Sequence, residues 1–264
     1  MRRPSLSVAI RNERVVDRMR TLKAEHPFWG YRRVWATLRY TEQMVITRGR
    51  VLRLMRLHQL LVTPQTRLKA RRTPGRDKPR ATQPNQWWGI DMTKVMTQAG
   101  CSYVVVVLDW YTKKIVGHYA GEQSRADHWL LALDRAVNRQ FSQGIVDSLR
   151  SPQAGHHLHL MSDNGSQPTS VAFMKVCGQL GIPQAFTSYN NPKGNADTER
   201  MMRTLKEELF WLREWASPHQ IASALDNWVE QYNQTYRHSA LGYRTPTECE
   251  QQHQLSPNTQ LVAA

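Results

Sequence analysis

The stretch WWGIDMTKVMTQAGCSYVVVVLDWYTKKIVGHYA, residues 87–120, decides the fold that we expect for this chain. It is rich in Val, Ile, Trp and Tyr and predicts three β-strands, at Trp87–Val95, Ser102–Trp110 and Ile115–Ala120. Only a few residues separate these runs, with Tyr111–Lys114 as the second turn, so the connections have the length of hairpins and not of helical crossovers. The sequence therefore predicts an antiparallel meander.

Helices and strands alternate after the meander. Apolar periodicity and turn residues predict a helix at Ala126–Arg139, a strand at His157–Met161, a helix at about Thr169–Leu180, a strand at Ile182–Ser188 and a long helix at about Ala196–Leu212. A loop of Pro, Gly and Asn, residues 190–195, opens the last helix. Three antiparallel strands followed by α–β–α–β–α predict an α/β, RNase H-like fold, which is a five-stranded mixed sheet with flanking helices.

Three acidic residues lie in or next to the predicted strands and the long helix. Asp91 lies inside the first strand, Asp163 at the end of the fourth, and Glu199 in the first turn of the long helix. Parallel pairing of the first and fourth strands would set Asp91 beside Asp163. Carboxylates that converge in this way repel one another, and Mg²⁺ or Mn²⁺ would relieve the repulsion.

Each acid also has an ordinary interpretation when it is considered alone. Asp91 could be a strand-end acid that faces water, and Asp163 could be a turn residue before Asn-Gly. Glu199 could be a helix carboxylate favoured by the dipole. Asp109, at the end of an apolar strand, is the nearest competitor as a catalytic acid, and we expect it to be structural.

The long helix carries two different faces. Glu199, Arg203 and Lys206 are spaced by four and three residues and so share one face. A separate stripe of Met202, Leu205 and Leu209 is expected to pack on the sheet. The alternative for the first face is an ordinary exposed ion pair between Glu199 and Arg203. Near Asp163, the side chains of Asn164 and Gln167 either line a DNA groove or cap the turn and the following helix.

Charge is concentrated at the start of the chain. The 264 residues carry a net charge of +15, yet residues 1–80 hold 21 basic and 5 acidic residues and the remainder holds 15 and 16. Such a basic segment attracts polyanions, and nucleic acid is the first candidate. Uniformly basic proteins, such as ribosomal proteins, fit this distribution poorly.

Residues 1–60 are expected to form a helix-turn-helix head. Helices are predicted at about 11–25, 30–40 and 48–58, with Thr47 as the N-cap of the third. One side of the third helix carries the candidate DNA-binding residues Arg50, Arg53 and Arg56. The alternative is a small helical bundle whose arginines are only solvated.

Further boundaries follow from composition. Residues 61–85 have the composition of a basic, Pro-rich linker in which Arg71 and Arg72 are candidate phosphate contacts. We expect residues 86–250 to form the core domain and residues 251–264 to form a C-terminal tail. The longest purely aliphatic run, residues 104–108, is too short to span a bilayer, and the three cysteines lie more than seventy residues apart, so we expect a cytoplasmic protein without disulfides or a Cys-based metal site.

Five segments together resemble one known family. WGIDMT at 88–93, SDNGSQ at 162–167 and NADTERMMRTLKEEL at 195–209 resemble the three carboxylate motifs of the retroviral-integrase catalytic core. The 35 residues between Asp163 and Glu199, and the position of Lys206 seven residues further on, match bacterial insertion-sequence transposases that share this DDE core. YNQTYRHSALGYRTP at 232–246 looks like the closing signature of that group, and HPFWGYRR at 26–33 looks like its helix-turn-helix segment.

The resemblance implies metal-dependent strand cleavage and strand transfer at transposon ends. Asp91 would bridge two Mg²⁺ or Mn²⁺ ions about 4 Å apart, with Asp163 on one and Glu199 on the other. It also implies double-stranded DNA as partner, a homo-oligomer on that DNA, a nucleoid location, and a partner or fusion segment from an upstream reading frame, this chain being the downstream product. The paired His and Cys of the retroviral zinc module, and leucine heptads, do not occur in the sequence.

Two other functions remain open at this stage. The first is a DNA-binding regulator or accessory subunit that is inactive without its upstream partner. The second is a structure-specific nuclease or RNase H, which the Glu–Lys helix and the closing signature disfavour.

Overall fold

The computed structural model describes residues 6–62, 79–145, 157–187 and 194–255. The chain packs as two compact units. The first contains Met1–Arg72 and Arg237–Arg244, and the second contains Thr73–Tyr236 and Thr245–Ala264. We predicted an uninterrupted core at 86–250, whereas residues 237–244 pack with the head. Within the described part of the chain, no helix is long and apolar enough to cross a bilayer.

The first unit is built on three helices. They are α1 at Leu6–Glu25, α2 at Tyr31–Ala36, which a π-helical turn extends through Thr37–Thr41, and α3 at Arg48–Leu57. Thr47 caps α3 as predicted, since its hydroxyl accepts a hydrogen bond from the Arg50 N–H at 3.3 Å. Apolar side chains from all three helices form the core, and they include Met19, Leu22, Val34, Leu38, Val51 and Met55.

Residues 237–244 complete an aromatic cluster in this unit. The Tyr243 ring meets the Trp35 ring edge-on at 5.1 Å and lies 6.3 Å from the Tyr40 ring. The Arg237 guanidinium lies 5.5 Å from the centre of the Tyr40 ring and donates a hydrogen bond to the Thr41 hydroxyl. Sequence periodicity contains no indication of this cluster, because its two parts are far apart in the chain.

The second unit contains a five-stranded mixed sheet with the order β3-β2-β1-β4-β5. Its strands are β1 at Trp87–Thr97, β2 at Gly100–Asp109, β3 at Ile115–Gly121, β4 at His159–Ser162 and β5 at Gln184–Phe186. The first three pair antiparallel, and β1 with β4 and β4 with β5 pair parallel. The predicted meander, the parallel pairing and the fold class are confirmed.

Helices cover the sheet. They are α4 at Ala126–Gln140, α5 at Val171–Gln179, α6 at Ala196–Glu208, α7 at Pro218–Thr235 and α8 at Pro246–Leu255. The sequence pattern extends α6 to Leu212, but the backbone leaves the helical region at Leu209 and tightens into a 3₁₀ turn at Phe210–Leu212. The prediction from sequence did not specify α7 and α8. It places a C-terminal tail from residue 251, whereas α8 continues to Leu255.

The two faces of β1 have different neighbours. Trp88 and Ile90 are fully buried in an apolar core that includes Trp129 and Leu133 of α4. Because side chains alternate along a strand, Gly89 and Asp91 point to the opposite face. A Cβ atom built on Gly89 would meet side chains at the start of α6, so this face of β1 lies against that helix. The alternation of side chains along β1 therefore places the Asp91 side chain on the face that lies against α6, the helix of Glu199.

Candidate active site

Strand pairing brings the two aspartates together. In the parallel register of β1 and β4, Trp87 pairs with His159 and Gly89 with Met161. The same register continued by two residues sets Asp91 opposite Asp163, which directly follows β4. Asp91 is half-buried, and its carboxylate accepts a hydrogen bond from the Met92 N–H at 2.8 Å. Asp163 is exposed, and its Oδ1 accepts one from the Gly165 N–H.

The first turn of α6 holds Glu199 against the same edge of the sheet. The Asn195 carbonyl accepts a hydrogen bond from the Glu199 N–H at 3.0 Å. The buried Asn195 side chain, in turn, lies with its Nδ2 3.5 Å from the carbonyl oxygen of Ile90. Asn195 thus links the residue before Asp91 to the backbone of Glu199.

A close approach at Gly89 fixes how α6 lies on β1. A Cβ atom at Gly89 would fall 1.9 Å from the Thr198 hydroxyl and 2.5 Å from the Trp110 indole nitrogen. Those two atoms are hydrogen-bonded to each other at 3.1 Å, and Thr198 is fully buried. Only glycine leaves room for this arrangement. Gly89 therefore allows the residue next to Glu199 to touch the strand of Asp91.

An ion pair holds the same end of the helix. The Lys113 ammonium lies 3.3 Å from the Asp197 carboxylate and also donates to the Trp110 carbonyl at 2.6 Å. Lys113 adopts a left-handed backbone conformation, with φ at 60°, in the turn between β2 and β3. Two consecutive residues of α6, Asp197 and Thr198, are thus held by the sheet and its turn directly before Glu199.

The surroundings of Asp91 raise the pKa of its carboxyl group. Burial raises the pKa of Asp91 to about 6. The Met92 N–H opposes the shift, the carboxylates of Asp163 and Glu199 add to it, and the Lys206 ammonium opposes it. Asp163, Glu199 and Lys206 therefore all lie within electrostatic reach of Asp91.

On the exposed face of α6, the structure does not contain the ion pair between Glu199 and Arg203 that was the alternative interpretation. Arg203 pairs with Glu207 at 2.7 Å, and not with Glu199. Among the described residues, Glu199 has no side-chain hydrogen bond or ion pair, which leaves its carboxylate available. Lys206 is half-buried. The predicted apolar stripe is confirmed, since Met202, Leu205 and Leu209 are buried at 4%, 0% and 9% exposure.

The donor set suits a hard divalent cation. It consists only of carboxylate oxygens, and the half-buried Asp91 carries a raised pKa that a bound cation would lower. In the described ranges, no three His, Cys, Asp or Glu side chains are already gathered closely enough to hold one ion.

Asn164 and Gln167 both form bonds within the second unit. The Asn164 amide donates to the Thr187 carbonyl, which links the loop after β4 to the end of β5. The Gln167 amide donates to the Ser124 hydroxyl at 2.8 Å. Neither caps α5, whose N-cap is Ser170. Their predicted DNA contacts stay a prediction.

Asp109 has the surroundings of a structural residue. It is 1% exposed, and one carboxylate oxygen accepts hydrogen bonds from the N–H groups of Tyr111 and Thr112 and from the Thr112 hydroxyl. The other oxygen accepts one from the Asn85 N–H at 2.5 Å. Burial raises the pKa of Asp109, and these hydrogen bonds oppose the rise. The carboxylate therefore ties the β2–β3 turn to the segment before β1.

Asp109→Asn is expected to destabilise the protein by about 1–3 kcal/mol. The amide nitrogen of Asn would face a backbone N–H where the carboxylate oxygen now accepts. Thermal unfolding measures the loss, and DNA cleavage below the melting temperature should stay within about threefold of wild type. A stable Asp109→Asn protein without cleavage activity, together with an Asp91→Asn protein that cleaves, would mean that Asp109 is the first catalytic acid.

The three arginines of α3 that were predicted to contact DNA differ in exposure. Arg53 and Arg56 are exposed on α3, as a DNA-facing role requires. Arg50 is half-buried, and its guanidinium donates two hydrogen bonds to the Asn12 side chain of α1, at 2.8 and 3.2 Å. Arg50 therefore connects two helices of the head, whereas we predicted a DNA contact or a merely solvated side chain for it. Arg71 and Arg72 lie outside the described residues.

Gly89, Trp110, Asn195 and Thr198 are the site residues that sequence reasoning missed. Gly89, Asn195 and Thr198 lie within the sequence motifs that carry the carboxylates. An acid in an apolar strand can be recognised from sequence as a candidate site residue, because burying its charge without a partner costs free energy. A glycine or a threonine gives no such signal until the close packing between β1 and α6 is known.

Comparisons with known proteins show which family the chain resembles. A family model described as "Integrase core domain" matches residues 81–192, another with the same description matches 180–246, and an "HTH-like domain" model matches 11–67. A solved structure titled as a simian T-cell lymphotropic virus intasome in complex with PP2A regulatory subunit B56 gamma has a TM-score of 0.51 at 16% identity. It covers 81% of this chain and 73% of its own, and it supports the fold alone.

Relatives in bacteria extend the likeness to both units. A Mycobacterium tuberculosis (strain H37Ra) protein, assigned to insertion sequence element IS986/IS6110 as its transposase, is 30% identical over 240 residues, which is 86% of this chain and 83% of that protein. The transposase for insertion sequence element IS904 of Lactococcus lactis is 31% identical over 65% of this chain and 63% of its own. This chain therefore belongs to the family of insertion-sequence transposases that carry an integrase core domain.

Proposed function

We propose that this chain is a DDE transposase that cleaves DNA strands at insertion-sequence ends and joins them to target DNA. The observation that carries the proposal is that Asp163, Glu199 and Lys206 all lie within electrostatic reach of Asp91 at one edge of the sheet. Gly89 and Asn195 support it, because they fix the helix of Glu199 against the strand of Asp91.

Two divalent ions, Mg²⁺ or Mn²⁺, would be held by Asp91, Asp163 and Glu199. When bound, such ions activate water or a 3′-hydroxyl and stabilise the leaving 3′-oxygen. Lys206 extends from the same helix face as Glu199, where its ammonium would hold a phosphate of the reacting strand. No protein nucleophile is needed, since the attacking oxygen comes from water or from DNA.

The head and linker would hold double-stranded DNA. Arg53 and Arg56 of α3 are exposed, and they would contact transposon DNA together with Arg71 and Arg72 of the linker. We further propose that the protein acts on the bacterial nucleoid as a homo-oligomer, with an upstream-frame protein as partner or as a fused segment.

Asp163→Ala tests the proposal. The purified chain is incubated with labelled inverted-repeat ends and Mg²⁺, with and without the upstream-frame protein. Joined products are expected from the wild type, and Asp163→Ala should lose them by at least about 10³-fold while its DNA affinity stays within about twofold. The exposed Asp127→Ala is the matched control and should keep full activity.

The same assay separates the other two functions. DNA binding without chemistry, even when the partner is present, would contradict the proposal and favour an accessory subunit. Cleavage of an RNA–DNA hybrid, without joining of DNA ends, would favour a nuclease.

A further inference from the structure

A second feature of the core unit has the composition of a nucleic-acid site. A cavity of about 590 Å³ opens between the end of β1 and the segment after α6. We name it the β1–α6 cavity, and the residues that define it are Lys94, Lys206, Trp211, Arg213 and Trp215. Its volume lies within the range of pockets that hold small organic groups.

The charge of the cavity favours an anion. Lys94, Lys206 and Arg213 bring three cations to its lining, and Glu214 brings a single acid. The Arg213 guanidinium lies 4.2 Å from the centre of the Trp215 ring, and this stacking contact holds it in place. A phosphate is the anion that such an arrangement of Lys and Arg recognises in a DNA-acting protein.

An aromatic side chain stands at the edge of the same cavity. Trp211 is 61% exposed, which is unusual for the largest side chain. It belongs to the 3₁₀ turn that follows α6, and Trp215, which is 3% exposed, lines the same cavity. Exposed aromatic rings beside cations form the stacking platforms on which single-stranded nucleic acids bind.

The walls of the cavity are firmly attached to each other. The N–H groups of Gln98 and Ala99, in the β1–β2 turn, donate to the carbonyls of Trp215 and Ala216 at 2.9 and 3.1 Å. The Trp215 indole donates to the Phe210 carbonyl at 3.1 Å. These bonds hold the segment that carries Trp211 and Arg213 against the sheet, so the ring and the cations are presented in fixed positions.

The cavity is continuous with the catalytic site through Lys206. This side chain lines the cavity, and its ammonium also acts on the pKa of Asp91. Lys94 lies three residues after Asp91 on β1. A DNA strand held at the carboxylates would therefore reach the cavity within one or two nucleotides.

We propose that the β1–α6 cavity binds an unpaired nucleotide of the DNA strand next to the reacting phosphate. Its base would stack on Trp211, and its phosphate would lie beside Lys94 and Arg213. A paired base has both faces covered by its neighbours, so the platform selects single-stranded or frayed DNA. This proposal rests on the proposed function for the position of the strand.

Binding and cross-linking of a short oligothymidine test the proposal. Its affinity for the full-length chain is measured by fluorescence anisotropy in EDTA, beside a duplex of equal length. Trp211→Ala should weaken single-strand binding by about 5-fold to 100-fold, and Trp211→Phe should keep most of it. Duplex binding should be unchanged, because the head supplies it. Leu212→Ala, an exposed neighbour outside the cavity, is the matched control.

An oligothymidine carrying 5-iodo-deoxyuridine identifies the contact directly. Ultraviolet cross-linking followed by peptide mapping should place the adduct at Trp211. Unchanged single-strand affinity in Trp211→Ala, or adducts confined to residues 1–80, would overturn the proposal and leave an apolar protein partner as the occupant. Lys94→Gln repeats the test if Trp211→Ala melts early. Because no step needs metal or cleavage, failure of the proposed function would leave this result intact.

Discussion

Replacing Asp91 with Asn is expected to abolish strand cleavage and, at the same time, to stabilise the metal-free protein at neutral pH. The activity should fall by at least about 10³-fold, because Asn replaces a charged carboxylate that would hold the proposed metal ions with a neutral amide. The gain in stability has a separate cause, namely the cost of holding an ionised carboxylate among two others in a half-buried site.

The pH dependence of this gain follows from the raised pKa. The pKa of Asp91 is about 6 in the folded chain and 3.8 in its ordinary state. Well below pH 3.8 the carboxyl is protonated whether the chain is folded or not, so it costs nothing. As the pH rises to about 6, the unfolded chain gives up the proton more readily, so folding becomes less favourable. Above pH 6 the cost is constant, at about 1–3 kcal/mol.

Melting temperatures in EDTA at pH 4 and pH 7 measure the effect. Asp91→Asn should melt higher than wild type at pH 7 and close to it at pH 4. Asp134→Asn makes the same change of charge at an exposed position of α4 and should show no such difference. Wild-type activity in Asp91→Asn, or a lower melting temperature at pH 7, would contradict the assignment of Asp91 as a strained catalytic carboxylate.

Gly89→Ala is expected to lower both the stability and the activity, although Gly89 has no side chain that could take part in the reaction. The new methyl group would overlap the Thr198 hydroxyl, at 1.9 Å, and the Trp110 indole nitrogen. The start of α6 must then move away from β1, and Glu199 moves with it. Overpacking of this kind costs about 1–3 kcal/mol, and a shift of about 1 Å at a catalytic group costs about 10²-fold in rate.

A matched glycine provides the control for this prediction. A methyl group added at Gly178 of α5 would have no neighbouring atom within 4 Å, so Gly178→Ala should keep full activity and gain up to about 1 kcal/mol. Thr198→Ala in the Gly89→Ala chain removes the nearest clash and should restore part of the activity. Wild-type cleavage by Gly89→Ala alone would mean that α6 does not rest on Gly89 in the active protein.

The strands could be predicted from sequence because their physical signal is local. Val104–Leu108 can only be buried, and the short connections around it allow only hairpins. The position of Asp91 opposite Asp163 followed from one further assumption, which was the parallel pairing of β1 and β4. The register confirms that pairing.

Side-chain partners were harder to predict than backbone pairing. Spacing alone allowed Arg203 to pair with Glu199 or with Glu207, and the structure has the second pair. The spacing on α3 likewise assigned Arg50 the same role as its neighbours, whereas it bonds Asn12 of another helix. In both cases the outcome depends on three-dimensional neighbours that a one-helix pattern does not contain.

The insertion of residues 237–244 into the head has a consequence for the order in which the protein matures. During synthesis the three head helices leave the ribosome before the core unit, but Tyr243 emerges only after nearly all of that unit. Until then Trp35 and Tyr40 lack the ring that covers them in the finished protein. The helical head therefore reaches its final packing only after nearly all of the core unit has been made.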